Sequence, residues 1–272
     1  MSYARITVRL TLGLSCVPAA FAAVETHSVT YYATQTLKGF LAYDRDLKHQ
    51  RPGILIVHEW WGQNDYVRRR ARMLAELGYT ALAIDMYGEG RQADHPEEAG
   101  KFAAKVLQNL PLGKARFQAA LDLLREHPTT DPRRIAAIGY CFGGAVVLQM
   151  ARVGADLQAV VSFHGALSTE QPAQTGAVKA RILVCHGAED TLITQNHIEQ
   201  FHKEMKTAGA DYQFLIYPNA RHSFTNPAAD VYAQRFGLPL GYNAAADRQS
   251  WAEMLTFLEN SFAVRSADPQ AQ

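Results

Sequence analysis

The chain has 272 residues, 48% of them hydrophobic, and can bury a full core without disulfide or metal staples, as one domain. A formal net charge of +1 with 19% charged residues leaves no electrostatic footprint for nucleic acid. The one basic run, Arg68-Arg69-Arg70 with Arg72, falls on a helical pattern and reads as a solvated face.

At the N-terminus, Arg5 and Arg9 precede an apolar stretch from Leu10 to Phe21, and Ala20-Phe21-Ala22 gives a small-x-small cleavage pattern. Residues 1–22 therefore read as a cleaved signal peptide, with 23–272 exported to the periplasm or medium. The stretch is shorter than the ~20 residues a membrane span requires, and Pro18 interrupts it. No stable membrane insertion is expected. Alternating residues at 27–34 and 37–43 predict an opening antiparallel hairpin. Ile54-Leu55-Ile56-Val57 is an unbroken apolar run, as in strands covered on both faces. A helix is expected over 65–77, closed by Gly78, and a second buried strand over 79–86. Two helices, 96–110 and 112–127, are separated by Pro111 and Gly113. Then follow strand 134–140, helix 142–152, strands 159–163 and 182–186, helix 194–207, strand 212–217 and helix 244–262. Residues after Val264 are polar and expected to fray. This alternation specifies a mostly parallel sheet with helices on both faces.

Chemistry concentrates at three strand ends. Gly139-Tyr140-Cys141-Phe142-Gly143 joins an apolar strand to a helix, the pattern of a nucleophile elbow with cysteine in the usual serine slot. The flanking glycines suit a strained turn, and the helix N-terminus favours a thiolate. A buried core cysteine is the plainer reading of this short motif. In α/β-hydrolases the acid and the histidine follow the nucleophile in chain order. Asp190 lies just after one strand and His222 after the last; Glu189 is adjacent but set to point away. His222 would then act as base on Cys141 and Asp190 would orient it. His186 reads as an internal hydrogen-bonding residue, and His164, at a strand end, either lines the pocket or is structural. No metal-ligand spacing and no phosphate-cradling glycine motif occurs, so neither metal nor other cofactor is expected. Cys141 and Cys185 fall on strands with a third between them, ~10 Å apart and beyond disulfide reach. His58-Glu59-Trp60-Trp61-Gly62 follows the strand whose loop supplies the second oxyanion amide, and it sets Glu59 near the nucleophile.

Together Gly139-Tyr140-Cys141-Phe142-Gly143-Gly144, the His186-Gly187 to Asp190 string, Arg221-His222-Ser223-Phe224 and the His-Glu-Trp-Trp-Gly string resemble the dienelactone hydrolase (carboxymethylenebutenolidase) family. The resemblance implies an α/β-hydrolase fold and hydrolysis of a small-molecule ester or lactone. It also implies Cys141 as nucleophile, His222 as base, Asp190 as orienter and Glu59 as acceptor of the resting thiol's hydrogen bond. The Phe142 and Trp60 N–H groups would form the oxyanion hole. Family members bind a substrate carboxylate with two arginines; here Asn226 stands at one position and Arg91 is the candidate for the other. Trp61 beside the loop would offer apolar surface to a neutral group. A general carboxylesterase or thioesterase, and a non-catalytic binding protein on the same scaffold, are the competing readings. A monomer is expected.

Overall fold

The computed structural model describes residues 22–266, with side chains through Ala263. Residues 1–21 of the expected signal peptide and residues 267–272 lie outside it. Strands β1 (Val24–Ala33) and β2 (Gln35–Asp44) form the opening hairpin, its turn at Thr34 in left-handed backbone, φ 63°. β3 (Arg51–Val57), β4 (Thr80–Ile84), β5 (Thr130–Tyr140), β6 (Ala159–Phe163), β7 (Arg181–Gly187) and β8 (Tyr212–Tyr217) complete one eight-stranded sheet. The strand order is β1-β2-β4-β3-β5-β6-β7-β8, parallel from β4 onward.

Helices α1 (Asp65–Glu76) and α7 (Ala244–Ser266) cover one face; α3 (Leu110–Glu126), α4 (Phe142–Arg152) and α5 (Gln195–Ala208) cover the other. Covering both faces explains the unbroken apolar strands. Alternate side chains of β3 serve different layers: Leu55 and Val57 pack under α3 and α4, Ile54 and Ile56 under α1 and α7. All four are fully buried, and each contributes about 1.5–3 kcal/mol by leaving water.

Three local expectations need correction. Helix α2 (Pro96–Leu107) ends earlier than expected, because Asn109 caps α3 by accepting the Leu112 N–H. Pro111 and Gly113 thus lie inside the first turn of α3, where a missing N–H costs nothing. Helix α6 (Ala229–Phe236) was not anticipated; it has no side-chain N-cap and exposes much of its surface. Arg70 does not belong to a solvated face. It is buried, ion-paired with Asp247 at 2.5 Å, and its guanidinium lies over Tyr66, Tyr140 and Trp251. Sequence marks a charge; only the arrival of α7 supplies the carboxylate that holds it. Cys141 and Cys185 are both free, with β6 between their strands.

Candidate active site

β5 ends at Tyr140, and α4 starts at Phe142, so the chain reverses within one residue. Cys141 takes φ 53°, ψ −113°, a strained conformation for a side chain with a Cβ. Two glycines make the turn possible. A Cβ on Gly139 would lie 2.0 Å from the Gly143 carbonyl oxygen, and one on Gly143 would lie 2.3 Å from that of Val57. The helix packs so closely on β5 and β3 that neither position admits alanine without backbone movement.

Loops after β7 and β8 bring Asp190 and His222 to the same end of the sheet. Asp190 Oδ2 accepts the His222 Nδ1–H at 2.8 Å, while Oδ1 accepts the Leu192 N–H at 3.0 Å. Glu189 is half-exposed and pairs with Arg221 at the surface. With Nδ1 as donor, the His222 Nε2 lone pair turns towards its other partner, Cys141. Burial opposes charge on His222, but the facing sulfur and the Asp190 carboxylate outweigh it and push its pKa up to about 10.

Glu59 is buried, and its oxygens are both occupied: Ser223 Oγ donates to Oε1 at 2.8 Å and Asn226 Nδ2 to Oε2 at 2.5 Å. The structure therefore differs from the expectation that the thiol donates to it. Burial raises the Glu59 pKa, opposed by these two hydrogen bonds and by the His222 charge. Asn226 also departs from its expected place. It is buried with its amide committed to Glu59, so it anchors a carboxylate of the protein instead of facing substrate. Trp61 is buried against α6, stacked on Tyr232 with centroids 4.4 Å apart. It holds that helix down, whereas Trp60 stays partly exposed. Arg91 is exposed at the end of a loop that Asp85 shapes by accepting the N–H groups of Tyr87, Gly88 and Gly90.

The Phe142 N–H opens α4 and has no intrahelical acceptor. Among the described residues the Trp60 N–H has no backbone acceptor either. Beneath Trp60, His58 Nε2 accepts the Met86 N–H at 3.2 Å, which makes Nδ1 the donor to the Glu59 carbonyl at 2.6 Å. Tyr87 Oη donates to the Trp60 carbonyl at 2.9 Å. His58 thus fixes the peptide that carries the second candidate oxyanion amide, and Tyr87 fixes the peptide that follows it.

His164 is the residue whose part was least visible beforehand. The Cys141 N–H donates to the Phe163 carbonyl at 3.0 Å and to His164 Nδ1 at 3.1 Å. Because Nδ1 accepts, the ring proton is on Nε2, which donates to Thr225 Oγ1 at 2.7 Å. Thr225 Oγ1 also meets Tyr66 Oη at 2.7 Å, and the Thr225 carbonyl accepts from Arg70 at 2.7 Å. Burial, then the neighbouring His222 charge, drives the His164 pKa well down, so it is neutral. His186, expected to hydrogen-bond internally, packs on the Phe214 ring instead. Ser223 and Thr225 were not singled out either. The available signal was three polar residues, 223, 225 and 226, crowded beside His222 in a segment otherwise fit for a core.

Among the described residues no group of three or more His, Cys, Asp or Glu side chains could hold a metal ion. No helix of the described residues is long and apolar enough to cross a membrane.

Comparison with known proteins agrees with this geometry. The profile of the dienelactone hydrolase family matches residues 37–262. The solved structure named m3DLH is 38% identical with a TM-score of 0.84, covering 88% of this chain and 99% of the other. A dienelactone hydrolase-like promiscuous phosphotriesterase from metagenomic libraries is 36% identical with a TM-score of 0.83, covering 88% and 99%. Protein usf of Aquifex pyrophilus is 29% identical over 187 residues, 66% of this chain and 80% of that protein.

Proposed function

The chain belongs to the dienelactone hydrolase family and is a hydrolase of ester or lactone bonds, and on that premise we propose that it works through a Cys141–His222–Asp190 triad with a thiol-acyl intermediate. One observation carries the reading. The 2.8 Å bond from His222 Nδ1 to Asp190 fixes the ring so that Nε2 faces a sulfur mounted on a strained elbow. His222 takes the thiol proton, and sulfur attacks the substrate carbonyl. The developing oxyanion lies against the N–H groups of Phe142 and Trp60, neither of which has a backbone acceptor to give up among the described residues. Collapse expels the alkoxide, which His222 protonates; water then repeats the attack and frees Cys141. Glu59, held by Ser223 and Asn226, sets a negative charge near the imidazolium and disfavours a free thiolate before substrate arrives.

The substrate is a neutral ester or lactone. Asn226 is committed to Glu59, which leaves Arg91 as the sole candidate cation of the expected pair. Charge-assisted hydrogen bonds contribute ~1.5–3 kcal/mol each, so preference for an anionic substrate falls by roughly ten- to a hundredfold at ~1.4 kcal/mol per decade. The leader-like residues 1–22 support export as the setting of the reaction.

A screen of short-chain esters, lactones and enol-lactones, run beside Cys141→Ala, tests this. Turnover that vanishes in the variant is the expected result. Turnover within about tenfold of wild type in the variant removes Cys141 from the mechanism.

A further inference from the structure

Arg70 is a buried cation that takes no part in the chemistry described above. It stands on α1 with Tyr66 one turn before it, so the two side chains leave the helix on the same face. Both reach Thr225, three residues beyond His222. Tyr66 Oη lies 2.7 Å from Thr225 Oγ1, and Arg70 Nη2 donates to the Thr225 carbonyl at 2.7 Å. Among the described residues no backbone N–H reaches that carbonyl. Asp247, at 2.5 Å, and the rings of Tyr66, Tyr140 and Trp251 hold the guanidinium in place from the other sides.

The segment that Arg70 grips does not support itself. Ser223 takes φ 59°, left-handed backbone that a residue with a Cβ keeps only where its surroundings impose it. Thr225 also stands at a junction. Before it, His222 meets Asp190; after it, Asn226 holds Glu59. Its hydroxyl accepts the His164 Nε2–H, and His164 Nδ1 accepts the Cys141 N–H. One residue therefore ties the base, the buried carboxylate and the nucleophile's amide together.

Resting on the triad proposed above, we infer that Arg70 is a positioning residue of the reaction, holding residues 222–226 in register with Cys141 through the Thr225 carbonyl. Its charge acts in the same sense. Burial and the His222 charge lower the His164 pKa, and Arg70 lowers it further, which keeps Nδ1 an acceptor. Burial raises the Glu59 pKa, and Arg70 joins Ser223, Asn226 and His222 in opposing it.

The test compares Arg70→Met, Asp247→Asn and the double variant with wild type. Asp247→Asn weakens the ion pair but leaves an oxygen beside Arg70 and the Thr225 bond intact. It should lower the melting temperature yet keep kcat on p-nitrophenyl acetate within about threefold. Arg70→Met and the double variant both lose the Thr225 bond. Both should lose at least about tenfold in kcat, the size of one charge-assisted hydrogen bond, with KM within about twofold. The double variant should nevertheless melt above Arg70→Met, because it strands no buried carboxylate, and it keeps the test open if the single variant does not fold. A kcat that follows melting temperature across the series, or a double variant within threefold of wild type, overturns the inference. A second readout needs no turnover: the downfield proton resonance of His164 Nε2–H, identified by its loss in His164→Asn. Its exchange with water should be slow in wild type and Asp247→Asn, and at least about tenfold faster in the two variants that lack Arg70. Should Cys141→Ala still turn over ester while this resonance behaves as stated, the triad falls and the hold of Arg70 on the segment stands. A resonance indifferent to residue 70 overturns that hold.

Discussion

Replacing Asp190 by asparagine changes almost no volume, yet the structure dictates a large effect. Leu192 N–H requires an acceptor at the Oδ1 position, so the amide oxygen of the new side chain goes there. The NH2 group is then turned towards His222 Nδ1, 2.8 Å away, and Nδ1 must accept instead of donate. The ring proton moves to Nε2, where it faces the sulfur, and the base has lost its lone pair. The corresponding exchange in a serine triad costs about 10⁴ in kcat, or ~5.5 kcal/mol at ~1.36 kcal/mol per decade. A fall of about 10³- to 10⁴-fold in kcat on p-nitrophenyl acetate is expected. The same exchange removes one of the anions that hold the His222 pKa near 10, above its ordinary 6.5. A raised pKa stabilises the fold fully below the unfolded value, and the contribution is lost as pH rises through the folded value. Melting temperature should therefore decline from about pH 6.5 to about pH 10 in wild type, and less steeply in the variant. A folded Asp190→Asn protein within tenfold of wild-type kcat would refute the tautomer argument.

Three further outcomes follow from the surrounding shell. Glu59→Gln removes an anion near the sulfur while keeping an acceptor for Ser223, so iodoacetamide should alkylate Cys141 about three- to tenfold faster at neutral pH; unchanged or slower alkylation would count against Glu59 as suppressor. His164→Leu leaves the Cys141 N–H one acceptor short and should lower kcat at least about tenfold with little change in KM, whereas His164→Asn should stay within about threefold, since asparagine both accepts and tolerates the φ of 40° found there. Equal losses in the two variants would mean the ring matters only as packing. Gly143→Ala would set a Cβ 2.3 Å from the Val57 carbonyl oxygen and should cost about 1–3 kcal/mol in urea unfolding; a change under about 0.5 kcal/mol would show that α4 does not approach β3 so closely.

The fold was legible because its strands are covered on both faces, so runs such as Ile54–Val57 declare themselves without regard to context. Cys141, Asp190 and His222 were legible because each follows a strand, and parallel strands bring their ends together. What escaped the sequence depends on partners far along the chain. Trp61 reads as a pocket wall until α6, about 170 residues later, delivers Tyr232 to stack on it. Asn226 reads as a substitute for an arginine until its bond to Glu59, 167 residues away, appears. Arg70 reads as solvated until Asp247 arrives. Helix α6 lacks a side-chain N-cap and a deep apolar stripe; its few apolar residues join only a small cluster around Trp61, Ala93 and Ala99, too weak a pattern to mark a helix.

The central claim is a covalent acyl group on Cys141. Rapid quenching of the protein during turnover of p-nitrophenyl acetate, followed by peptide mass analysis, examines it directly. The expected result is a mass gain of one acetyl group on the peptide containing Cys141, transient in wild type and absent in Cys141→Ala. An acetyl group on a different residue, or full turnover with no adduct on Cys141 at any quench time, would contradict it.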